Sequence, residues 1–245
     1  MVSSIFSHPG GSVPGLWNNR GMSAKPYDAA ARRGIMNMTD AGRYLAVSQQ
    51  TFHRWAKGYE KGGALLHLAD SSRPREAPVS FITLTEAYVL QALRTAGVRV
   101  QKIRPALVEL QSRFGTEFAL TAPNLATDGI DVLWDFSKTP GGAGLIEGRT
   151  GQTVMRTIVA DYLTYITRDD GMPTRLQLPN CEPSKVIVDP QYGFGQPRFG
   201  VAGARLIDVA AMLRAGEEPE VVADEFGISI HDVGTAARVL LGRAA

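Results

Sequence analysis

Six of the nine side chains between residues 49 and 57 are of the kinds that hold nucleic acid: Gln49, Gln50, Thr51, His53, Arg54 and Lys57. Amides and guanidinium groups reach base edges, and cations and hydroxyls reach phosphates. Stepped at about 100° per residue, Gln49, Gln50, His53, Arg54 and Lys57 share one helical face. Phe52, Trp55 and Ala56 fall on the opposite side and need a core. Ser48 stands at the N-cap position. Upstream, Ala41, Tyr44 and Leu45 recur at helical spacing and could supply that core. The short link through Ala46 and Val47 completes a helix-turn-helix outline, with residues 49–57 as its recognition helix.

A second charged constellation lies near the C-terminus. Glu217, Glu218, Glu220, Asp224 and Glu225 crowd one helical stretch. Such a surface repels phosphate, so it reads as a protein-binding or dimerisation surface, with Arg238 as a cation available beyond it. The whole chain mirrors this division. Residues 1–115 hold 15 Lys or Arg against 7 Asp or Glu, and residues 116–245 hold 11 against 17, within a net charge of +2. A basic front half and an acidic back half suit two different partners.

Other chemistries find little support. The four histidines, His8, His53, His67 and His231, are scattered and show no metal-ligand spacing, and Cys181 is the only cysteine. No catalytic residue, metal site or cofactor is expected. The glycine-rich stretches at 141–144 and 148–151 lack the Gly-Lys-Ser/Thr ending of a phosphate loop. Asp169 and Asp170 sit side by side at a turn signal rather than as a catalytic pair. No apolar run reaches the length of a membrane span. The first residues are no secretory signal, and the single cysteine fits a cytoplasmic protein.

These residues require positioning elements. Residues 1–34, rich in Gly, Pro, Ser and Asn, read as a tail or arm, with Met22 as a second candidate start. After the recognition helix, β-prone runs at 64–68 and 79–83 flank a polar loop bearing Arg73 and Arg75. Two such strands would form a wing whose arginines could touch the DNA backbone or minor groove. Thr83 with Glu86 reads as a capping box, opening a helix that ends near Gly97. Residues 101–114 read as another helix. From 118 to 155 short strands are expected at 118–120, 126–136, 144–147 and 152–155, with Asp128-Gly129 as a hairpin turn. A helix over 159–166, a turn at 169–171 and a strand at 174–178 follow. The last block carries an apolar stripe of Leu206, Val209, Ala210 and Leu213, and another of Val221, Val222 and Phe226. Ser229 with Asp232 caps a third helix, whose outer face would show His231, Asp232, Thr235 and Arg238.

The expected fold class is α+β: an N-terminal winged helix-turn-helix, a small central α+β layer and a C-terminal helix-turn-helix-like unit. The expected boundaries are 1–36, 37–115, 116–180 and 181–245.

The order of elements over residues 37–115, carried by VSQQTFHRWAKGYEKGGALL and LTEAYVLQALRTAGVRVQKIRPALVEL, resembles the DNA-binding domain of MerR-type regulators. The later pattern Asp189-Pro, Gly195-Gln-Pro-Arg-Phe-Gly, Gly203-Ala-Arg-Leu, Gly216-Glu-Glu-Pro-Glu-Val-Val-Ala and Phe226-Gly-Ile-Ser resembles a small bacterial helix-turn-helix family whose members are commonly antitoxins of VapB type. Gly200-Val-Ala-Gly and the 34-residue front extension depart from that pattern. The resemblance implies an antitoxin that neutralises a PIN-domain ribonuclease and binds its own promoter, double-stranded operator DNA. A homodimer is expected on separate grounds, since one short recognition helix reads few base pairs and a symmetric operator needs two. A free-standing MerR-like transcription regulator is the alternative. A small PIN-type reading frame beside the gene would favour the antitoxin.

Overall fold

The computed structural model describes residues 26–59, 63–69, 76–146, 151–200 and 202–242. The first elements among the described residues are α1 (Pro26–Arg32), which packs on the later helix α4, and β1 (Gly34–Met36). Within the stretch expected to be a tail or arm, Ala31 and Ile35 are buried in the core. The helix-turn-helix follows as α2 (Met38–Tyr44) and α3 (Gln49–Lys57).

The expected wing strands do not pair with each other. Residues 64–68 form no strand, and β2 (Val79–Ser80) pairs antiparallel with β1 instead. Ala69 still approaches the second run, donating its N–H to the Pro78 carbonyl at 2.9 Å. The loop bearing Arg73 and Arg75 lies outside the described residues.

The central pillar is α4 (Phe81–Thr95), with twelve of its fifteen residues buried. It starts earlier than expected. Ser80 is the N-cap, accepting from the Thr83 N–H at 3.1 Å, and Thr83 completes the capping box from the N3 position. Glu86 takes no part in the cap and points into the core. After α4 comes α5 (Arg104–Phe114), whose Pro105 lies in the first turn, where its missing N–H costs least.

Residues 118–155 correct the expectation of strands. Residues 119–121 make a single helical turn, and a wide turn at 125–129 runs straight into α6 (Ile130–Ser137). Asp128-Gly129 thus lies within helix rather than in a hairpin. Leu125, Ile130 and Leu133 are fully buried while Asp135 is exposed, a helical rather than an alternating period. Of the run at 144–147, only Ile146 makes a strand-like pairing among the described residues, an isolated bridge to Val98. Residues 152–155 open α7 (Gln152–Leu163), which packs on α4 and has Met155 and Val159 buried.

The sheet comes late in the chain. It is a four-stranded antiparallel meander of β3 (Ile166–Asp169), β4 (Met172–Gln177), β5 (Val186–Val188) and β6 (Arg198–Phe199). Its register sets Ile166 opposite Leu176, Leu176 opposite Val188 and Val186 opposite Phe199, all buried. The expected turn at 169–171 is present, with Asp170 at φ 48° and Gly171 at φ 77°. Because β4 pairs with β5, the sheet runs across the boundary expected at 180/181.

The C-terminal helices are α8 (Leu206–Ala215), α9 (Pro219–Phe226) and α10 (Ile230–Ala236). Leu206, Val209, Ala210, Val222 and Val233 line their shared core, and Ser229 with Asp232 forms the expected capping box. The segment after α10 packs on α2. The expected units therefore share one continuous apolar core rather than standing apart.

Candidate nucleic-acid interface

The helix-turn-helix is built from three local devices. Asn37 caps α2, its side chain accepting from the Asp40 N–H at 2.8 Å. The turn closes when the Val47 N–H donates to the Gly42 carbonyl at 2.8 Å, with Ala46 at φ 53°. That closeness explains Gly42: a Cβ there would lie 2.8 Å from the Val47 carbonyl oxygen. Ser48 then caps α3, its hydroxyl accepting from the Thr51 N–H at 3.2 Å and donating to the Thr51 hydroxyl at 2.8 Å.

These devices orient α3 as its periodicity requires. Phe52, Trp55 and Ala56 are buried against Ala41 and Tyr44, whose phenol burial keeps un-ionised. Gln49, Gln50, His53, Arg54 and Lys57 are exposed, and Thr51 is half-buried beside its cap. Among the described residues, the five exposed side chains have no hydrogen bond or ion pair to satisfy them. No acidic residue stands in the first turn of α3, so its positive dipole end is bare. The face offers two amides, an imidazole and two cations to whatever docks there.

Behind α3 the structure supplies partners that sequence reasoning missed. The Trp55 carbonyl accepts from the Leu65 and Leu66 N–H groups at 2.8 and 3.3 Å, so the chain leaving α3 folds back along it. The Arg104 guanidinium grips the Ala64 carbonyl. His67, expected in a wing, is tied down instead. Its N–H donates to Glu86 Oε2 at 2.9 Å, its Nδ1 lies 2.6 Å from Glu86 Oε1, and its carbonyl accepts from the Thr83 hydroxyl. Hydrogen bonding to the Glu86 carboxylate raises the His67 pKa, and burial raises that of Glu86 despite the imidazole. The His67 ring also stands edge-on to Phe118 at 5.0 Å, and Arg32 covers that phenyl at 4.6 Å. The only sequence signal was a Glu on the inner face of an apolar helix, which the capping motif masked.

The C-terminal candidates divide. Glu217, Glu218, Glu220, Asp224 and Glu225 are all exposed at the start and along α9, with Glu218 at its N-cap position. Arg238 is not brought to them: it donates to the Asn180 carbonyl at 2.9 Å, and Asn180 donates to the Arg43 carbonyl in α2 at 3.3 Å. The outer face expected on α10 is incomplete. Thr235 is buried with its hydroxyl 2.9 Å from that of Ser184, and Asp232 serves the cap; burial raises its carboxyl, but hydrogen bonding to Ser184 and to the cap residue Ser229 outweighs that and holds it below the usual range.

Burial pushes the Cys181 thiol up to about 12, so it is held as the neutral thiol. Among the described residues no three His, Cys, Asp or Glu side chains group as metal ligands, and no helix is long and apolar enough to cross a membrane.

Comparison with known proteins agrees with this geometry. Residues 35–107, from β1 into α5, match the family described as "Putative DNA-binding HTH domain". The chain is 37% identical over 213 residues to the "Putative antitoxin VapB45" of Mycobacterium tuberculosis, covering 80% of this chain and 89% of that protein. The "Uncharacterized protein Rv2308" of the same organism is 25% identical over 216 residues, covering 83% and 89%. The crystal structure of Rv2018 from Mycobacterium tuberculosis superposes with a TM-score of 0.67 at 35% identity, covering 83% of this chain and 99% of that one.

Proposed function

The chain belongs to the family of the antitoxin-named VapB45, and on that premise we propose that it is the antitoxin of a toxin-antitoxin pair. In this reading it binds its own promoter through α3 and neutralises a PIN-domain ribonuclease. The observation that carries the DNA half is the exposed, unpaired polar face of α3 in a domain matching a DNA-binding helix-turn-helix family. Arg54 and Gln50 read base edges in the major groove, and Lys57 neutralises phosphate. Arg73 and Arg75, which follow α3 in sequence and lie outside the described residues, would add contacts to the DNA backbone.

A homodimer follows from symmetry, since one short helix reads few base pairs and a palindromic operator needs two. The toxin half rests on the family and on charge. The carboxylates around α9 form an acidic surface complementary to a nuclease surface that must attract RNA phosphates, and such complementarity mainly speeds association.

Gel shifts with promoter DNA at two salt concentrations test the reading. Arg54→Ala and Gln50→Ala are each expected to weaken specific binding by about 1–3 kcal/mol. Lys57→Ala is expected to weaken all sequences alike and to flatten the salt dependence. Unchanged affinity in all three would discard α3 as the recognition helix. For the second half, purification together with the product of an adjacent PIN-type reading frame should yield an inactive complex. Reversing Glu218 and Glu225 to Lys should slow its formation and leave operator affinity unchanged.

A further inference from the structure

A cleft of about 410 Å3 lies where α2, α4 and α7 meet, with Pro179 and Asn180 completing its wall. It opens beside the turn of the helix-turn-helix, since Leu45 and Ala46 line it. Four tyrosines line it as well: Tyr44 from α2, Tyr88 from α4, and Tyr162 and Tyr165 from the end of α7 and the turn after it. The rings are held in place. The Tyr88 hydroxyl donates to the Tyr162 carbonyl at 3.1 Å, with the two ring centroids 5.3 Å apart. The Tyr165 hydroxyl donates to Glu182 Oε1 at 2.8 Å, and the Asn180 side chain donates to the Arg43 carbonyl at 3.3 Å across the same seam.

The charges around the cleft are of one sign. Among the described residues no Lys, Arg or His lines it. Asp161 does, and its exposed carboxylate has no hydrogen bond or ion pair among the described residues. The last turn of α7 carries no basic residue, so the negative end of its dipole is uncompensated there. Glu182 stands behind Tyr165. Arg43 and Arg238 touch the same seam but are engaged, Arg43 with Asp40 at 3.3 Å and Arg238 with the Asn180 carbonyl at 2.9 Å. Tyr44 is 1% exposed, burial keeps its phenol un-ionised, and its hydroxyl has no hydrogen bond among the described residues. That oxygen is not sealed into the core, as Gln91 Oε1 is. It is open to a donor that enters the cleft.

We propose that this cleft binds a small organic ammonium ion. Tyrosine faces attract cations through the negative face of the ring quadrupole. Asp161 and the end of α7 supply the opposite charge, the Tyr44 hydroxyl accepts an N–H, and the rings cover the organic body. An anion would meet the carboxylate and the dipole end with like sign, and a neutral molecule would gain from the rings alone. The volume falls within the range of small-molecule sites, about 300–1,000 Å3, and such sites favour seams between packed units. The site stands whether or not the chain has a toxin partner.

Titration calorimetry on the full chain tests this with three probes of matched size: 2-phenylethylammonium, 2-phenylethanol and phenylacetate. The cation is expected to bind one to a chain, about tenfold tighter than the alcohol, as a charge-assisted hydrogen bond in place of a neutral one implies. Phenylacetate is expected not to bind. Tyr44→Phe should weaken the cation about tenfold through loss of the acceptor. Asp161→Asn should weaken it about threefold, as fits an exposed charge, and leave the alcohol unchanged. Asp161 is on the surface, so its variant decides the matter even if Tyr44→Phe does not fold. No saturable binding of the cation at millimolar concentration, equal affinity for all three probes, or wild-type affinity for the cation in the Asp161 variant at low salt would each overturn the proposal.

Discussion

Replacing Glu86 with alanine would show how far the helix-turn-helix depends on a buried polar tie. The carboxylate is 1% exposed and accepts two hydrogen bonds from His67, one from the backbone N–H at 2.9 Å and one at Nδ1 at 2.6 Å. Its removal strands the part-buried N–H, at a cost of about 1–3 kcal/mol. It also removes a charge-assisted bond of about 1.5–3 kcal/mol. The His67 side chain is 37% exposed and can be rehydrated, so that second loss falls near its lower end. Relief from desolvating the carboxylate offsets part of the total. The net expectation is a loss of about 3 kcal/mol, at the lower edge of what one-sided removal of a buried pair costs. Glu86→Gln keeps the shape and one acceptor, so about 1 kcal/mol is expected. Urea unfolding measures both, through a lower midpoint at an unchanged slope. Operator affinity of the Ala variant should also fall, because His67 anchors the segment that hydrogen-bonds to Trp55. An Ala variant within about 1 kcal/mol of wild type, or a Gln variant as costly as Ala, would refute the idea that this carboxylate ties the segment down.

Three further outcomes are expected. The raised His67 pKa means that its stabilising contribution is complete below about 6.5 and is lost as pH rises through the higher folded value, so stability should fall more between pH 6 and 9 in wild type than in His67→Gln, read as the urea midpoint at each pH. Gly42→Ala places a Cβ 2.8 Å from the Val47 carbonyl oxygen, so it should cost about 1–3 kcal/mol and abolish operator binding by opening the turn, seen in thermal melts and gel shifts. Phe194→Gly relieves a left-handed non-glycine residue, and after the entropy of the freer unfolded chain it should stabilise by about 0.5–1 kcal/mol, raising the melting temperature.

Much of the helix-turn-helix was legible in the chain itself. The 3.6-residue spacing of Phe52, Trp55 and Ala56, the cap at Ser48 and the polar face opposite them depend on residues within about four positions of one another. The capping box at Ser229 and the turn at 169–171 were legible for the same reason. The strands expected between 118 and 155 failed because β-branched residues and an Asp-Gly pair were weighed locally. Burial of Leu125, Ile130 and Leu133 on one side of a helix outweighed that propensity. The wing failed because strand pairing is a choice among distant partners, and β2 took β1.

What the sequence by itself determined were the amphipathic faces, the caps and the division of charge, since each follows from side-chain type and local periodicity. Only the tertiary structure decided which polar groups meet. It turned Glu86 from a helix cap into the partner of His67, buried Thr235 against Ser184, and drew Arg238 to Asn180 and away from the acidic run. It also pressed the loop at Gly195 onto β1, where Gln196 binds Ile35 across 161 positions of chain, and so left Phe194 in solvent. Such pairings depend on how separate elements pack into one core, and no local window of sequence holds that information.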